Sequence, residues 1–360
     1  MTSTIDQAAV NGDFESVRRS SEFEALIAAS VRMGSNPMLV QAAGGNFSLK
    51  RNDCMWIKAS GTWLAEAAQK DIMVPVDSKT IATLLTGSPA PLSDLMDFVP
   101  AAVNRSQLRP SVETSVHAVI PWPVVLHTHA VEVIAAAVCR EWQSILDSLI
   151  GAMDPVYVPY VKPGTDLART LSQCAEPGRK VFVLGNHGLV CAGETVAEAE
   201  RLTQEVAQKI GVGLRVPQGQ GQPTARFVTA LEGTDWMPVP HVETQQIAFD
   251  TKLCDIARSG TLYPDHIVFL GPGVGFMDEP EQLAGRVADT GGIEPKLIVV
   301  PNEGVAMPAD ASRSMLALAR AFGDIVTRIP DGKEVAVLTK DQEAELLNWD
   351  AEKYRLSIGQ

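Results

Sequence analysis

Histidine is scarce in this chain, with six in 360 residues, and several familiar features are missing altogether. The five cysteines, at positions 54, 139, 174, 191 and 254, are odd in number and form no Cys-x-x-Cys pair. That pattern fits reduced thiols in a cytoplasmic protein rather than a disulfide framework. No cluster of lysines and arginines is present. The net charge of −13 opposes a nucleic-acid partner, which requires a basic face. No apolar run reaches about 18 residues, so no membrane span or membrane partner is expected. The opening MTSTIDQAAVNGDFESVRRS lacks the apolar centre of a signal peptide. What remains is a cytoplasmic α/β protein of ordinary composition, 46% hydrophobic and 20% charged. Its length predicts two domains, each able to bury a core.

The first 20 residues read as a flexible N-terminal tail. SEFEALIAASVRMG then reads as a helix, with Ser21 and Glu24 at capping-box spacing and Gly34 as the stop. MLVQAAGGNFSLK passes from a strand through a Gly-Gly turn into a second strand, and CMWIKASG is another strand ending in a turn. MVPVDSKTIATLLTG reads as a strand, an Asp77 cap and a helix. RPSVETSVHAVI reads as a helix start capped by Ser111. The strand PVVLHTHA, the helix AVEVIAAAV, a strand around VYVPYV and the helix GTDLARTLSQCA follow. KVFVLGNHGLVCAG is a strand–turn–strand, and TVAEAERLTQEVAQKIG is an amphipathic helix.

These elements define a first domain over 21–215. RVPQGQGQPT, rich in Gln, Gly and Pro, marks a linker at 216–225. A smaller α/β domain is expected over 226–360. Its elements read as a strand HIVFLG, a helix EPEQLAGRVAD, a strand KLIVVPNEGVAM, a helix ASRSMLALARAFGDIVTRI and a helical QEAELLNWDAEKYRLS.

Within PVVLHTHA, His127 and His129 are two apart, so on a strand their imidazoles point to one side. An HxH pair is also an ordinary core arrangement, and only a third ligand makes it a metal site. His187 in LGNHGLV is the candidate, because Gly185 and Gly188 allow a sharp turn and leave space around the ring. Three neutral imidazoles leave a bound Zn²⁺, or another divalent metal, its full charge and open positions. That is a catalytic layout rather than a closed structural one. It suits polarising a carbonyl or holding an enediolate oxygen. Glu113, fourteen positions before His127, supplies the proton-transfer group that such chemistry needs. The first turn of a helix favours its anionic form. Upstream, GGNFS (44–48) and KASG (58–61) are glycine-rich turns. Their amides, with the Asn46 amide and the Ser60 and Ser111 hydroxyls, can form an anion pocket, although such turns also occur for geometry alone.

The five pieces Gly44-Gly45-Asn46-Phe47-Ser48, Lys58-Ala59-Ser60-Gly61, Pro110-Ser111-Val112-Glu113, His127-Thr128-His129-Ala130 and Asn186-His187-Gly188, in this order, resemble the class II aldolase/adducin family. The segment VPYVKPGTDLA is similar as well. The resemblance implies a three-layer α/β/α domain around a mainly antiparallel central sheet. It implies zinc on His127, His129 and His187, with Glu113 as the acid/base. It also implies a substrate or phosphate pocket from Gly45, Asn46, Ser60, Gly61 and Ser111. The substrate would be a small hydroxy-carbonyl compound or sugar phosphate, cleaved or joined next to its carbonyl, and the assembly a homo-oligomer, a tetramer by preference.

Two departures stand out. Val112 replaces a serine of fuculose-phosphate-type members, and the gap from Glu113 to His127 is short. The short gap, together with YPDHIVFLGPGVGF, LIVVPNEGVAM and NWDAEKYRL, resembles the aldolase part of bifunctional rhamnulose-phosphate aldolase/dehydrogenase proteins. No segment of these residues resembles their dehydrogenase part. Epimerase, decarboxylase or dehydratase chemistry on the same metal site, or a non-catalytic adducin-like binding role, are the alternatives.

Overall fold

Apolar residues of the strands in the N-terminal half enter two different cores, as a period-two pattern requires. Val124, Leu126, Leu189 and Cys191 join one core, while Val125, Val190 and Ala192 join the other. The structure is a computed structural model describing residues 7–88, 92–219, 221–288 and 293–358. Residues 1–6 of the expected tail, Gln220 of the expected linker and 289–292 and 359–360 of the C-terminal segment lie outside the described residues.

The strands are β1 (Asn46–Arg51), β2 (Cys54–Lys58), β3 (Met73–Asp77), β4 (Val124–Thr128), β5 (Val156–Val158), β6 (Val181–Leu184) and β7 (Gly188–Gly193). Their order is β3-β2-β1-β4-β7-β6-β5, antiparallel except for the β5–β6 pair. Asn52 and Asp53, both at positive φ (48° and 69°), close the two-residue turn between β1 and β2. That is the turn chemistry a tight hairpin selects.

The helices are α1 (Gln7–Arg18), α2 (Ser21–Gly34), α3 (Ser78–Gly87), α4 (Thr114–Val119), α5 (Val131–Ala137), α6 (Trp142–Ile150), α7 (Thr165–Cys174) and α8 (Val196–Val212). Helices α3, α4 and α7 cover one face of the sheet, and α2, α5, α6 and α8 cover the other. The result is the expected three-layer α/β/α arrangement.

The C-terminal segment carries a second sheet, β8 (Trp236–Pro238), β9 (Gly275–Phe276), β10 (Ile298–Val300) and β11 (Gly304–Pro308), in the order β8-β11-β10-β9. The same segment carries α9 (Ala225–Leu231), α10 (Val242–Gln246), α11 (Thr251–Arg258), α12 (Pro264–Leu270), α13 (Arg313–Val326), α14 (Lys340–Leu347) and α15 (Asp350–Ile358). Helix α13 packs on α5, and one apolar cluster runs from Phe14 through Leu126 to Phe322 and Leu346. The two sheets therefore share a core.

Several local expectations are corrected. Residues 7–18 form a helix rather than a flexible tail, because Phe14 and Val17 bury against the sheet. Phe14 and Phe23 sit edge-on to Trp56 at 6.3 and 5.5 Å, and the Trp56 indole donates to the Phe14 carbonyl at 3.0 Å. Ser20, not Ser21, caps α2, its hydroxyl accepting from the Phe23 amide at 3.2 Å. Ser111 is not the cap of α4; Glu113 occupies that position and its side chain makes no capping bond.

HIVFLG is helical, not extended. Pro264 presets helical φ at the first turn, and every residue of α12 is buried, so no amphipathic stripe exists to be read. In EPEQLAGRVAD only Pro280–Leu283 is helical, a single 3-10 turn, and Asp289 lies outside the described residues. KLIVVPNEGVAM is a hairpin of β10 and β11 turning at Asn302 (φ 62°). The closing helix is two helices, α14 and α15.

Candidate functional site

Strand β4 lies inside the sheet, with His127 opposite Asn46 of β1 and Val190 of β7. His127 shares the face of Val125, toward the α4 layer, and His129 follows just past the strand end. His187 sits in the turn between β6 and β7, where Asn186 takes φ 51°. The Asn186 amide donates to the Leu262 carbonyl at 2.9 Å and the Ala336 carbonyl at 2.7 Å, so the C-terminal segment holds this turn in place. Glycine is required at 188, since a Cβ there would lie 2.5 Å from the Thr128 carbonyl oxygen.

The three imidazoles converge, with ring centres 4.9, 4.9 and 5.4 Å apart. His127 Nδ1 donates to the Leu189 carbonyl at 3.0 Å, and His129 Nδ1 donates to Asp265 Oδ2 at 2.8 Å. Both Nε2 atoms are then lone-pair donors, and they face each other at 3.1 Å. Glu113 completes the cluster, with Oε2 3.3 Å from His127 Nε2 and Oε1 3.5 Å from His187 Nε2. All four side chains are buried, and among the described residues Glu113 Oε1 has no hydrogen-bond partner.

Burial pushes His127 down to about 4 and His187 to about 3, against the opposing pull of Glu113, so these rings are neutral near pH 7. Burial pushes the Glu113 carboxyl up, but the imidazoles and the Asn46 amide outweigh it and hold the group at about 2. Converging lone pairs, an orphaned carboxylate oxygen and anchored Nδ1 protons make a donor set that fits a divalent cation.

A second layer holds this cluster. The Asn46 amide donates to Glu113 Oε2 at 2.9 Å, while its carbonyl accepts from His117 Nε2 at 2.5 Å. His117 Nδ1 in turn accepts from the Ser48 hydroxyl at 2.7 Å. His117 and Asp265 are the residues that the sequence reading missed. His117 left a signal, standing one helical turn after Glu113. Asp265 left none, being 136 positions from His129.

Gly45, Asn46, Ser60, Gly61 and Ser111, the five residues expected to form the substrate pocket, all line one narrow cavity with Glu113, His129 and His187. Lys58 also lines it, its ammonium donating to the Ala43 and Thr62 carbonyls at 2.7 and 2.8 Å. A second His–acid group, His241, Glu243 and Asp324, is of another kind. Arg328 and Arg320 lie 3.0 and 3.5 Å from the Asp324 carboxylate and neutralise it, as in an ion-pair network.

Residues 24–210 match the model of the class II aldolase and adducin N-terminal domain. The chain belongs to the class II aldolase and adducin family. Similar relatives within reach of this family are an uncharacterized oxidoreductase, YuxG, of Bacillus subtilis strain 168, an L-fuculose phosphate aldolase of Methanococcus maripaludis strain C5, and a methylthioribulose-1-phosphate dehydratase of Enterobacter sp. strain 638. YuxG is 28% identical over 199 residues, 52% of this chain but only 28% of that protein, so the chain spans little more than a quarter of its length. The aldolase is 26% identical over 47% of this chain and 84% of that one. The dehydratase is 29% identical over 44% of this chain and 78% of that one. Class II aldolases use a divalent metal, and the buried cluster here could hold one. Among the described residues, no helix is long and apolar enough to cross a membrane.

Proposed function

We propose that this family member is a divalent-metal-dependent lyase of aldolase type. It would cleave or form a carbon–carbon bond next to the carbonyl of a small hydroxy-carbonyl substrate. One observation carries the reading: three buried imidazoles and one buried carboxylate direct their ligand atoms into a single space. His127, His129 and His187 would hold the cation, zinc being the natural match to three imidazoles. When bound, it supplies Lewis-acid polarisation of a substrate oxygen.

The chain's own groups do the rest. Leu189 and Asp265 keep the His127 and His129 tautomers fixed, so their lone pairs are ready without rotation. Glu113, ionised and buried, moves the proton at the carbon beside the carbonyl. Asn46, oriented by His117, steadies the carboxylate for that transfer. The cavity walls at Gly45, Asn46, Ser60, Gly61 and Ser111 position the remainder of the substrate.

The same site can serve dehydratase chemistry, the activity named for the Enterobacter relative, and product analysis separates the two. A non-catalytic adducin-like role gives no reason for burying four ligand groups together. The protein would act in the cytoplasm as a homo-oligomer, a tetramer by preference, which light scattering tests. The deciding experiment is Glu113→Gln in zinc-loaded protein. Turnover should fall by at least about a hundredfold while about one zinc per chain is retained. Full activity in this variant removes Glu113 from the proposed role, and wild-type protein that binds no metal removes the lyase reading itself.

A further inference from the structure

The segment GGNFS gives Asn46 to the site, and its last residue has a part there too. Asn46 and Ser48 are two apart on β1 and share one face of the strand. Glu113 and His117 stand one helical turn apart at the start of α4. The two pairs interlock. Resting on the lyase reading above, we infer that Ser48 and His117 are positioning residues: together they fix the Asn46 amide, and through it they reserve Glu113 Oε1, rather than Oε2, for the proton.

Only one direction of hydrogen bonding satisfies all four groups. Ionised Glu113 can only accept, so the Asn46 group 2.9 Å from Oε2 is the NH2, and the Asn46 carbonyl faces His117. That carbonyl requires a proton on His117 Nε2. In a neutral ring Nδ1 is then a lone pair, and the Ser48 hydroxyl donates to it at 2.7 Å. Burial keeps the ring neutral, with His127 and Lys50 adding to the effect and Glu113 opposing it. His117 thus holds the tautomer opposite to that of His127 and His129, whose Nδ1 atoms carry the proton.

The frame around this chain is rigid. Ser48 and His117 are fully buried. Lys50, two residues on along β1, donates to the His117 carbonyl at 2.6 Å and to the Ile120 carbonyl, tying the end of α4 to the strand. A half-turn of the Asn46 amide would set its carbonyl against the Glu113 carboxylate, two buried acceptors face to face, and the His117 proton holds it from doing so. Oε2 is therefore engaged, while Oε1 is buried with no hydrogen-bond partner among the described residues. Oε1 takes the proton from the carbon beside the carbonyl. The C–H bond breaks, its electron pair passes into the carbonyl system, and Glu113 is the neutral acid until it returns the proton.

The test uses full-length zinc-loaded protein and two readouts. In solid-state nitrogen NMR of histidine-labelled protein, with the His117 signals assigned by their loss in His117→Gln, His117 should carry its proton on Nε2. A proton on Nδ1 reverses the chain and overturns the inference whatever the activity. The second readout is exchange of the hydroxymethyl protons of dihydroxyacetone and of its phosphate with D2O. Ser48→Ala and His117→Leu should each lower the maximal exchange rate by roughly ten- to a hundredfold, with KM and zinc content kept. His117→Gln, which retains a donor toward Asn46, should recover most of the loss, and Ser48→Ala serves if His117→Leu does not fold. Wild-type exchange in both variants overturns the inference alone, as does a loss that follows zinc content and is not recovered by glutamine. A zinc-loaded wild type that exchanges neither ketone overturns the lyase reading and this inference with it.

Discussion

Asp265 and Gly44 meet at one imidazole. Asp265 accepts the Nδ1 proton of His129, and its removal leaves that proton buried without an acceptor. Asp265→Ala should weaken divalent-metal affinity by roughly ten- to a hundredfold, as measured by competition against a chelator. Unchanged affinity would show that His129 does not depend on this anchor. Gly44 is held to glycine by the same pair. A Cβ there would stand 2.8 Å from His129 Nδ1 and 3.0 Å from Asp265 Oδ2. Gly44→Ala should therefore reproduce the Asp265→Ala metal defect although it deletes no ligand. An alanine variant with wild-type metal affinity counts against that steric argument.

At the scale of elements, α1 has the most to show. Its sequence is polar enough to read as a tail, yet Phe14 is 1% exposed and stacks edge-on against Trp56 of β2. Phe14→Ala should cost about 3–5 kcal/mol in denaturant unfolding, the usual penalty for emptying a buried aromatic position. A loss below about 1 kcal/mol would return this helix to the status of a loosely attached tail. Elements that carry the site were largely legible, because HTHA, NHG and GGNFS couple local spacing to turn chemistry. Helix α12 was not, since a fully buried helix and a fully buried strand present the same apolar run.

For the whole molecule, pH reports on burial. His117, His127, His187 and His266 are pushed down by desolvation to about 3, 4, 3 and 4. In the unfolded chain each takes up its proton near 6.5. The unfolded state thus binds more protons than the native state below that pH. Stability is fully present above about 6.5 and is lost as pH falls toward the native values. The urea midpoint of metal-free protein should decline steadily from pH 7 to pH 4. A flat midpoint across that range would show that these histidines are solvated in the native state.

The sequence by itself pointed to the His–Glu cluster that the structure brings together and to the layers that hold it. Two-residue spacing puts His127 and His129 on one side of a strand, glycines around His187 permit its turn, and alternating apolar residues demand a covered sheet. Only the tertiary structure decided what stands behind and above that set. Asp265 reaches His129 across 136 positions, Asn186 ties the His187 turn to Leu262 and Ala336, and Glu352 enters the cavity from the last helix. Periodicity and turn chemistry act over a few residues. Contacts between distant segments leave no pattern in either one until packing of a shared core brings them together.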